Sequence, residues 1–322
     1  MRYFTTFLIA LLASPVVAQQ GKPVLEVWPK EIPLFSKRAR VQIVVTERWA
    51  SGETIDLTRS ARVESNDEAI VSVKNGMATP HGNGKAILNV SAAGQVALVP
   101  VIVSNFEKPD PIRFRYETLA VLTKQGCNAG SCHGSPKGKG GFSLSLFAYS
   151  PEIDEESLIR DGLGRRTNPQ DPDASLMIRK PMLRIPHVGG KKLRRTDEAY
   201  RILHQWILEG ANGLATNEPR CVRIEVYPKA SRVLDLSREG RTAQQLSVLA
   251  HFDDGSVRDV TRIATYGTSH DEVTTVGPSG LVTAHQAGLS AVTIRYLEHL
   301  ESVYFTAVRP VDGFEWTPQP EA

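Results

Sequence analysis

Val24-Leu25-Glu26-Val27-Trp28-Pro29-Lys30 returns late in the chain as Arg223-Ile224-Glu225-Val226-Tyr227-Pro228-Lys229, and the matches continue in the same order. Asp56-Leu57-Thr58 returns as Asp259-Val260-Thr261, Ser65-Asn66-Asp67-Glu68 as Ser269-His270-Asp271-Glu272, Asn75-Gly76 as Ser279-Gly280, and Gly84 as Gly288. A nearly constant offset means two copies of one unit, each of roughly 85 residues. The copies bracket a middle segment of different character, so the chain is multidomain.

Within each copy the apolar period is two. Val41, Ile43 and Val45 alternate, Ile87, Asn89 and Ser91 do so less cleanly, and Val292, Ile294 and Tyr296 repeat the pattern in the second copy. Gly, Asp and Asn punctuate these runs at short intervals, and short alternating strands between turns predict a β-sandwich. Asp254-Gly255-Ser256, Asp259-Val260-Thr261, the Ser-x-Asp-Glu run and Gly280-Leu281-Val282-Thr283 together resemble group 2 bacterial immunoglobulin-like domains. That resemblance implies extracellular or periplasmic adhesive and spacer modules. Asp253, Asp254 and Asp259 share a turn region, but turns favour Asp for local hydrogen bonding without any cation. His81, His251, His270, His285 and His299 are scattered outside any ligand spacing.

The chain has 322 residues, 41% apolar and 23% charged, with 25 Gly and 20 Pro, which suits several domains built of strands and tight turns. Residues 1–18 read as a secretory leader: Arg2 carries the charge, Phe4 to Ala13 form a short apolar run, and Val16-Val17-Ala18 is a small-residue cleavage motif. An uncleaved anchor is the alternative, although the run falls short of the roughly 20 residues that a span requires. The mature protein is expected in the periplasm or at the cell surface, with no membrane span. A net charge of +3 gives no global case for nucleic acid. Locally, Arg179, Lys180, Arg184, Lys191, Lys192, Arg194 and Arg195 form a basic stretch without an acid. The predicted organisation is a leader (1–18), a first sandwich (19–108), a middle domain (109–217), a second sandwich (218–310) and a tail (311–322).

In the middle segment the period shifts towards 3.6. Pro109 and Pro111 close the first sandwich, and Phe114, Leu119, Val121 and Leu122 then make a broad apolar face, predicting a helix that runs into Cys127. Gly126 and Gly130 let the chain leave helical geometry there. A short helix is expected near Ile153 to Asp161. Thr196 is the expected N-cap of a closing helix, with Asp197 and Glu198 in its first turn, Gly210 at its end, and Ala199, Ile202, Leu203, Trp206 and Ile207 as its apolar stripe. His204 borders this stripe.

Cys127-Asn128-Ala129-Gly130-Ser131-Cys132-His133 reads as a widened c-type haem attachment site, with four residues between the thiols instead of two. In such a site both thiols bond covalently to the porphyrin edge and the adjacent histidine takes an axial position on iron. Thiols five positions apart would point about 140° apart on a regular helix, so the intervening loop must bulge. A Cys127–Cys132 disulfide and a zinc site completed by His133 and His187 are the alternatives. Met177 and Met182 follow the motif in the order expected for a sixth ligand, Met177 reading better as core. Cys221 is left unpaired and is expected to be buried.

Gly126 to Gly134, then Gly138 to Leu146, Pro186-His187-Val188-Gly189-Gly190-Lys191-Lys192 and Trp206 to Ala211, resemble the planctomycete-type cytochrome c domain, which is commonly embedded among group 2 Ig-like domains. The resemblance implies two all-β Ig-like sandwiches flanking a mainly α cytochrome c-like domain, over about residues 24–308. It implies one covalent haem c per chain on Cys127, Cys132 and His133, with His187 rather than Met182 as the second iron ligand. The implied function is electron transfer with a redox partner protein, an acidic one if Lys191, Lys192, Arg194 and Arg195 steer it. The competing reading is a structural or adhesive surface protein whose middle domain is pinned by a disulfide or zinc. No catalytic set of carboxylates or Ser/His/Asp stands out, so a carrier is expected rather than an enzyme.

Overall fold

The computed structural model describes residues 22–309, so the expected leader (1–18) and tail (311–322) lie outside the described residues. The two repeats fold alike. In the first, Val24–Trp28, Val44–Arg48 and Thr54–Asp56 form one antiparallel sheet, while Ile32–Leu34, Gln95–Val103, Gly84–Ala92 and Arg62–Ser65 form a second. Val41–Gln42, Met77–Pro80 and Val71–Lys74 add a small third sheet. The second repeat reproduces the same strand order with Cys221–Tyr227, Ser247–Phe252 and Val257–Asp259, then Arg232–Asp235, His299–Val308, Gly288–Tyr296 and Thr265–Thr268.

Val292, Ile294 and Tyr296 point into the second core, as their alternation predicts. On the matching strand of the first copy the phase is the reverse of the expected one. Ala86, Leu88 and Val90 are buried and Ile87 is 43% exposed, because the small Ala86 fills the inward position that the sequence pattern gives to Ile87. Along Val41 to Thr46 alternation fails altogether, since Gln42, Val44 and Thr46 are as buried as their neighbours. Their outer face is covered by the other sandwich.

That contact is reciprocal. The Asp56 carboxylate accepts a hydrogen bond from the Gln245 backbone at 2.5 Å, and the Asp259 carboxylate accepts one from the Gln42 backbone at 2.6 Å. Asp56 and Asp259 hold the same place in the repeat, as do Gln42 and Gln245, so the sandwiches meet about a pseudo-two-fold axis. Each aspartate also accepts from the amide two residues on, Thr58 or Thr261, whose hydroxyl in turn accepts from Val45 or Val248. The Asp-x-Thr repeat is therefore both an internal turn and an inter-sandwich lock. Glu53 pairs with Arg241 across the same junction at 2.5 Å.

The expectation of a mainly α cytochrome c-like middle is corrected here. Strands dominate the described residues, and residues 109–217 hold a single helix longer than two turns, Glu198–Leu208. Leu119–Lys124 spans six residues after a wide turn at Phe114–Thr118, and Pro151–Glu155, continued by a wide turn at Glu156–Arg160, is the short helix expected near Ile153 to Asp161. The physical reason lies in residues 126–190, where Gly134, Gly138, Gly140, Gly141, Pro169, Pro172, Pro181 and Pro186 recur too often for a helix to propagate. The apolar stripe Ala199, Ile202, Leu203, Trp206 and Ile207 is buried as expected, although the helix begins after Asp197 rather than Thr196.

This middle segment has no separate core. Phe114, Tyr116, Leu122 and Trp206 belong to one apolar cluster with Phe252, Val292 and Phe305 of the second sandwich, whereas the first sandwich keeps its own cluster. The Tyr296 hydroxyl donates to the Tyr116 carbonyl at 2.8 Å, Tyr116 meets Phe252 edge-on at 5.2 Å, and the Lys124 ammonium donates to the Ala264 carbonyl at 2.6 Å. Among the described residues no helix is long and apolar enough to cross a membrane.

Candidate functional site: a cysteine and histidine pocket

Leu119–Lys124 buries its apolar face and ends at Gln125, after which Gly126, at φ +71°, turns the chain away. The next eight residues fold into a compact loop. Cys127 N–H donates to the Leu122 carbonyl, Cys132 N–H to Ala129, and His133 N–H back to Cys127, each at 2.9 Å. The buried Asn128 side chain anchors the loop by donating to the Thr123 hydroxyl at 2.9 Å. Gly134 closes the loop so tightly that a Cβ there would overlap the Asn128 carbonyl. The four intervening residues do leave helical geometry, and both thiols come to one wall.

Cys127, Cys132, His133 and His187 all line one cavity of about 210 Å³. Leu122, Phe142, Leu144, Leu158 and Met177 supply its apolar surface, and Lys139, Arg166, Lys180 and Lys192 its cationic one. His133 Nδ1 is 2.8 Å from the Phe142 carbonyl, and His187 Nδ1 is 2.7 Å from the Gly190 carbonyl. A carbonyl can only accept, so each Nδ1 carries a proton. Burial, followed by the proximity of His187, holds His133 below the usual histidine range. The His187 ring folds back over its own turn, where a Cβ at Gly189 would stand 2.9 Å from it.

The Cys127 thiol is pushed up to about 12, by burial first and by the neighbouring Cys132 second. Both thiols are free. Cys221 is buried, with its thiol pushed up to about 11 by burial. Met182 packs beside the core and is not among the residues lining the cavity, whereas Met177 is. The basic stretch divides: Lys180 and Lys192 reach the cavity, while Arg184 and Arg195 pair with Asp173. His204 stacks near Tyr200 at 5.5 Å, away from the cavity. His81 and His285 hold equivalent places in the two repeats and bond Ser72 and Thr275, each at 2.7 Å.

Phe142, inside the Gly138 to Leu146 motif, and Arg166, outside any motif, form a second wall. The Arg166 guanidinium lies 4.5 Å from the Phe142 ring centre, and that ring lies 4.6 Å from His133. Spacing along the chain carries no signal for such a wall.

Among the described residues no group of three or more His, Cys, Asp or Glu side chains is placed to hold a metal ion, which removes the Cys₂His₂ zinc reading and the calcium turn. Asp254 instead accepts from Ser256, and Asp253 from Arg220.

No protein-family model matches the chain, nor does any curated protein. Among solved structures, domains 5–6 of the S-layer protein SbsC are similar over 90% of this chain and 100% of that one, at 10% identity and TM-score 0.35. SbsC domains 4–9 are similar over 89% of this chain, which spans only 32% of theirs, at 11% identity and TM-score 0.34. InvD of Yersinia pseudotuberculosis is similar over 92% of this chain and 60% of that one, at 9% identity and TM-score 0.18. Likenesses this distant carry no inference about function. The expected membership in the planctomycete-type cytochrome c family with group 2 Ig-like flanks is corrected, because no family model supports it and the middle segment lacks a mainly α fold.

Proposed function

We propose that this chain is an exported structural module of the cell surface, in which two locked β-sandwiches hold the cysteine and histidine segment in a fixed place. The observation that carries this reading is the reciprocal Asp56–Gln245 and Asp259–Gln42 lock, together with the core shared by the middle segment and the second sandwich. Backbone donors bound to buried carboxylates leave little freedom for hinge motion. Export rests on residues 1–18. Urea unfolding followed by intrinsic fluorescence and by far-UV circular dichroism tests the rigidity. Coincident transitions are expected, and two separated transitions would refute a rigid module.

The pocket favours a second reading, in which the module carries one covalent haem c. Two imidazoles, each with its Nδ1 bonded to a carbonyl, and two thiols line one apolar-walled cavity, a donor set suited to thioether attachment and iron ligation. The cavity lies below the roughly 300–1,000 Å³ of ordinary ligand sites, so a porphyrin would keep one edge outside it. When bound, the haem would supply one-electron transfer. Cys127 and Cys132 would hold it covalently, His133 and His187 would ligate its iron, and Lys180 and Lys192 would offer charge to a redox partner. This reading rests on the pocket residues alone and not on family membership. Expression with a haem-maturation system and denaturation tests it: a Soret band that stays with the polypeptide is expected. Colourless protein with both thiols free overturns it.

A further inference from the structure

A second and larger cavity, of about 460 Å³, opens where the first sandwich, the middle segment and the second sandwich meet. Six basic and four acidic side chains line it. Arg38 is matched by Asp110 and Glu117, and Arg201 by Glu198. That leaves Arg40, Lys74, Arg258 and Arg262 without an ion-pair partner among the described residues, with Glu198 near Arg40 and Arg262, Asp110 and Glu117 near Arg258, and Asp259 in the same lining. Both Asp259 oxygens are already engaged, one by the Gln42 amide and one by the Thr261 amide. Among the described residues none of these four cations makes an ion pair with a carboxylate.

Two of them lie deep. The Arg262 Nε is buried without any hydrogen-bond partner, which is a costly state for a charged donor. The Arg258 guanidinium carbon lies over the Phe252 ring, 5.3 Å from its centre, and burial together with nearby Arg113 holds its guanidinium below the usual range. Arg40 and Lys74 stand at the open mouth. Uncompensated guanidinium groups around a cavity present planar forks of donors that match oxyanions and nothing apolar.

We propose that this junction cavity binds a small phosphate-bearing polyanion, held by Arg40, Arg258 and Arg262 with Lys74 at its mouth. The volume exceeds what a single phosphate fills and sits within the range of small-molecule sites. Because the three arginines come from both sandwiches, the bound anion also braces the junction against separation. The inference stands whether or not the cysteine pocket carries haem.

Isothermal titration with inorganic pyrophosphate at pH 7, in buffer of matched ionic strength, tests the site on the full mature chain. A dissociation constant below about 100 μM is expected, together with a rise in melting temperature that sodium chloride of equal ionic strength does not give. Arg262→Gln and Arg40→Gln are each expected to weaken binding at least tenfold, and Lys74→Gln by a few-fold, without changing the circular dichroism spectrum. Absence of heat and of any thermal shift on the wild-type chain at about 1 mM pyrophosphate overturns the proposal, and does so without any variant having to fold. Equal binding by Arg262→Gln and Arg40→Gln overturns it as well. A citrate response without a pyrophosphate response overturns the phosphate assignment.

Discussion

Trp28 stacks on Tyr227 with ring centroids 5.1 Å apart and planes within 7° of parallel. The two residues occupy the same position in the two repeats, so the stack lies on the pseudo-two-fold axis that relates the sandwiches. The Tyr227 hydroxyl reaches the Thr46 hydroxyl at 3.4 Å, extending the contact. A duplicated unit has met its own copy through the same surface patch, in the manner of an isologous dimer joined into one chain.

The stack should be measurable as a coupling. Trp28→Ala and Tyr227→Ala are each expected to cost about 2–3 kcal/mol in urea unfolding, with a double-mutant coupling of about 0.5–1.5 kcal/mol. A coupling indistinguishable from zero would show that the rings touch without mutual stabilisation.

The Asp259 carboxyl is pushed up to about 6, chiefly by burial, against an ordinary value of 3.8. A carboxyl raised on folding binds its proton more tightly in the native state, so its contribution is full below pH 3.8 and is lost as pH rises through about 6. Between pH 4 and 7 the wild type should therefore lose on the order of 1–2 kcal/mol relative to Asp259→Asn, which has no proton to release. Parallel stability curves for the two proteins over that window would contradict the assignment.

Thr58→Val and Thr261→Val keep volume but delete the hydroxyl that accepts from the buried Val45 or Val248 amide. Each is expected to cost about 1–3 kcal/mol, because a buried donor is left without a partner. The effects should be similar, since the two sites are copies. Amide exchange at Val45 and Val248, faster in the respective variants, reports the loss directly.

Thiol reactivity should be uneven. The Cys127 and Cys221 thiols, pushed up to about 12 and about 11 chiefly by burial, stay protonated at pH 8, and Cys221 is buried outright while Cys127 and Cys132 are half-buried. Under reducing conditions at pH 8, iodoacetamide is expected to modify Cys132 first, with Cys127 and Cys221 reacting only after unfolding. Equal labelling of all three in the native protein would contradict the packing described for the loop.

Much of the architecture was legible along the chain, because a repeat in one dimension becomes a repeat of folds. Trp28-Pro29 and Tyr227-Pro228, the two Asp-x-Thr turns and the paired glycines all marked equivalent places, and the strand orders of the two sandwiches coincide. The stripe on Glu198–Leu208 was equally plain, since a helix writes its buried face into every third or fourth residue. The helical character of the rest of the middle segment was overread. Apolar residues such as Leu144 and Leu193 are buried there by loops, which bury side chains without any period.

The sequence by itself determined the two β units, the turn that each Asp-x-Thr makes and the loop that carries Cys127, Cys132 and His133. These depend on neighbours within a few residues, through backbone hydrogen bonds and side-chain spacing. Only the tertiary structure decided that Asp56 and Asp259 reach across to the other sandwich, that His187 shares a cavity with both thiols, and that Arg40, Arg258 and Arg262 gather around one space. The first and third depend on burying the outer faces of Val41 to Thr46 and Ala243 to Phe252 against each other, a contact whose driving area has no signature in either copy alone, and the second on residues 122–192 closing around one space.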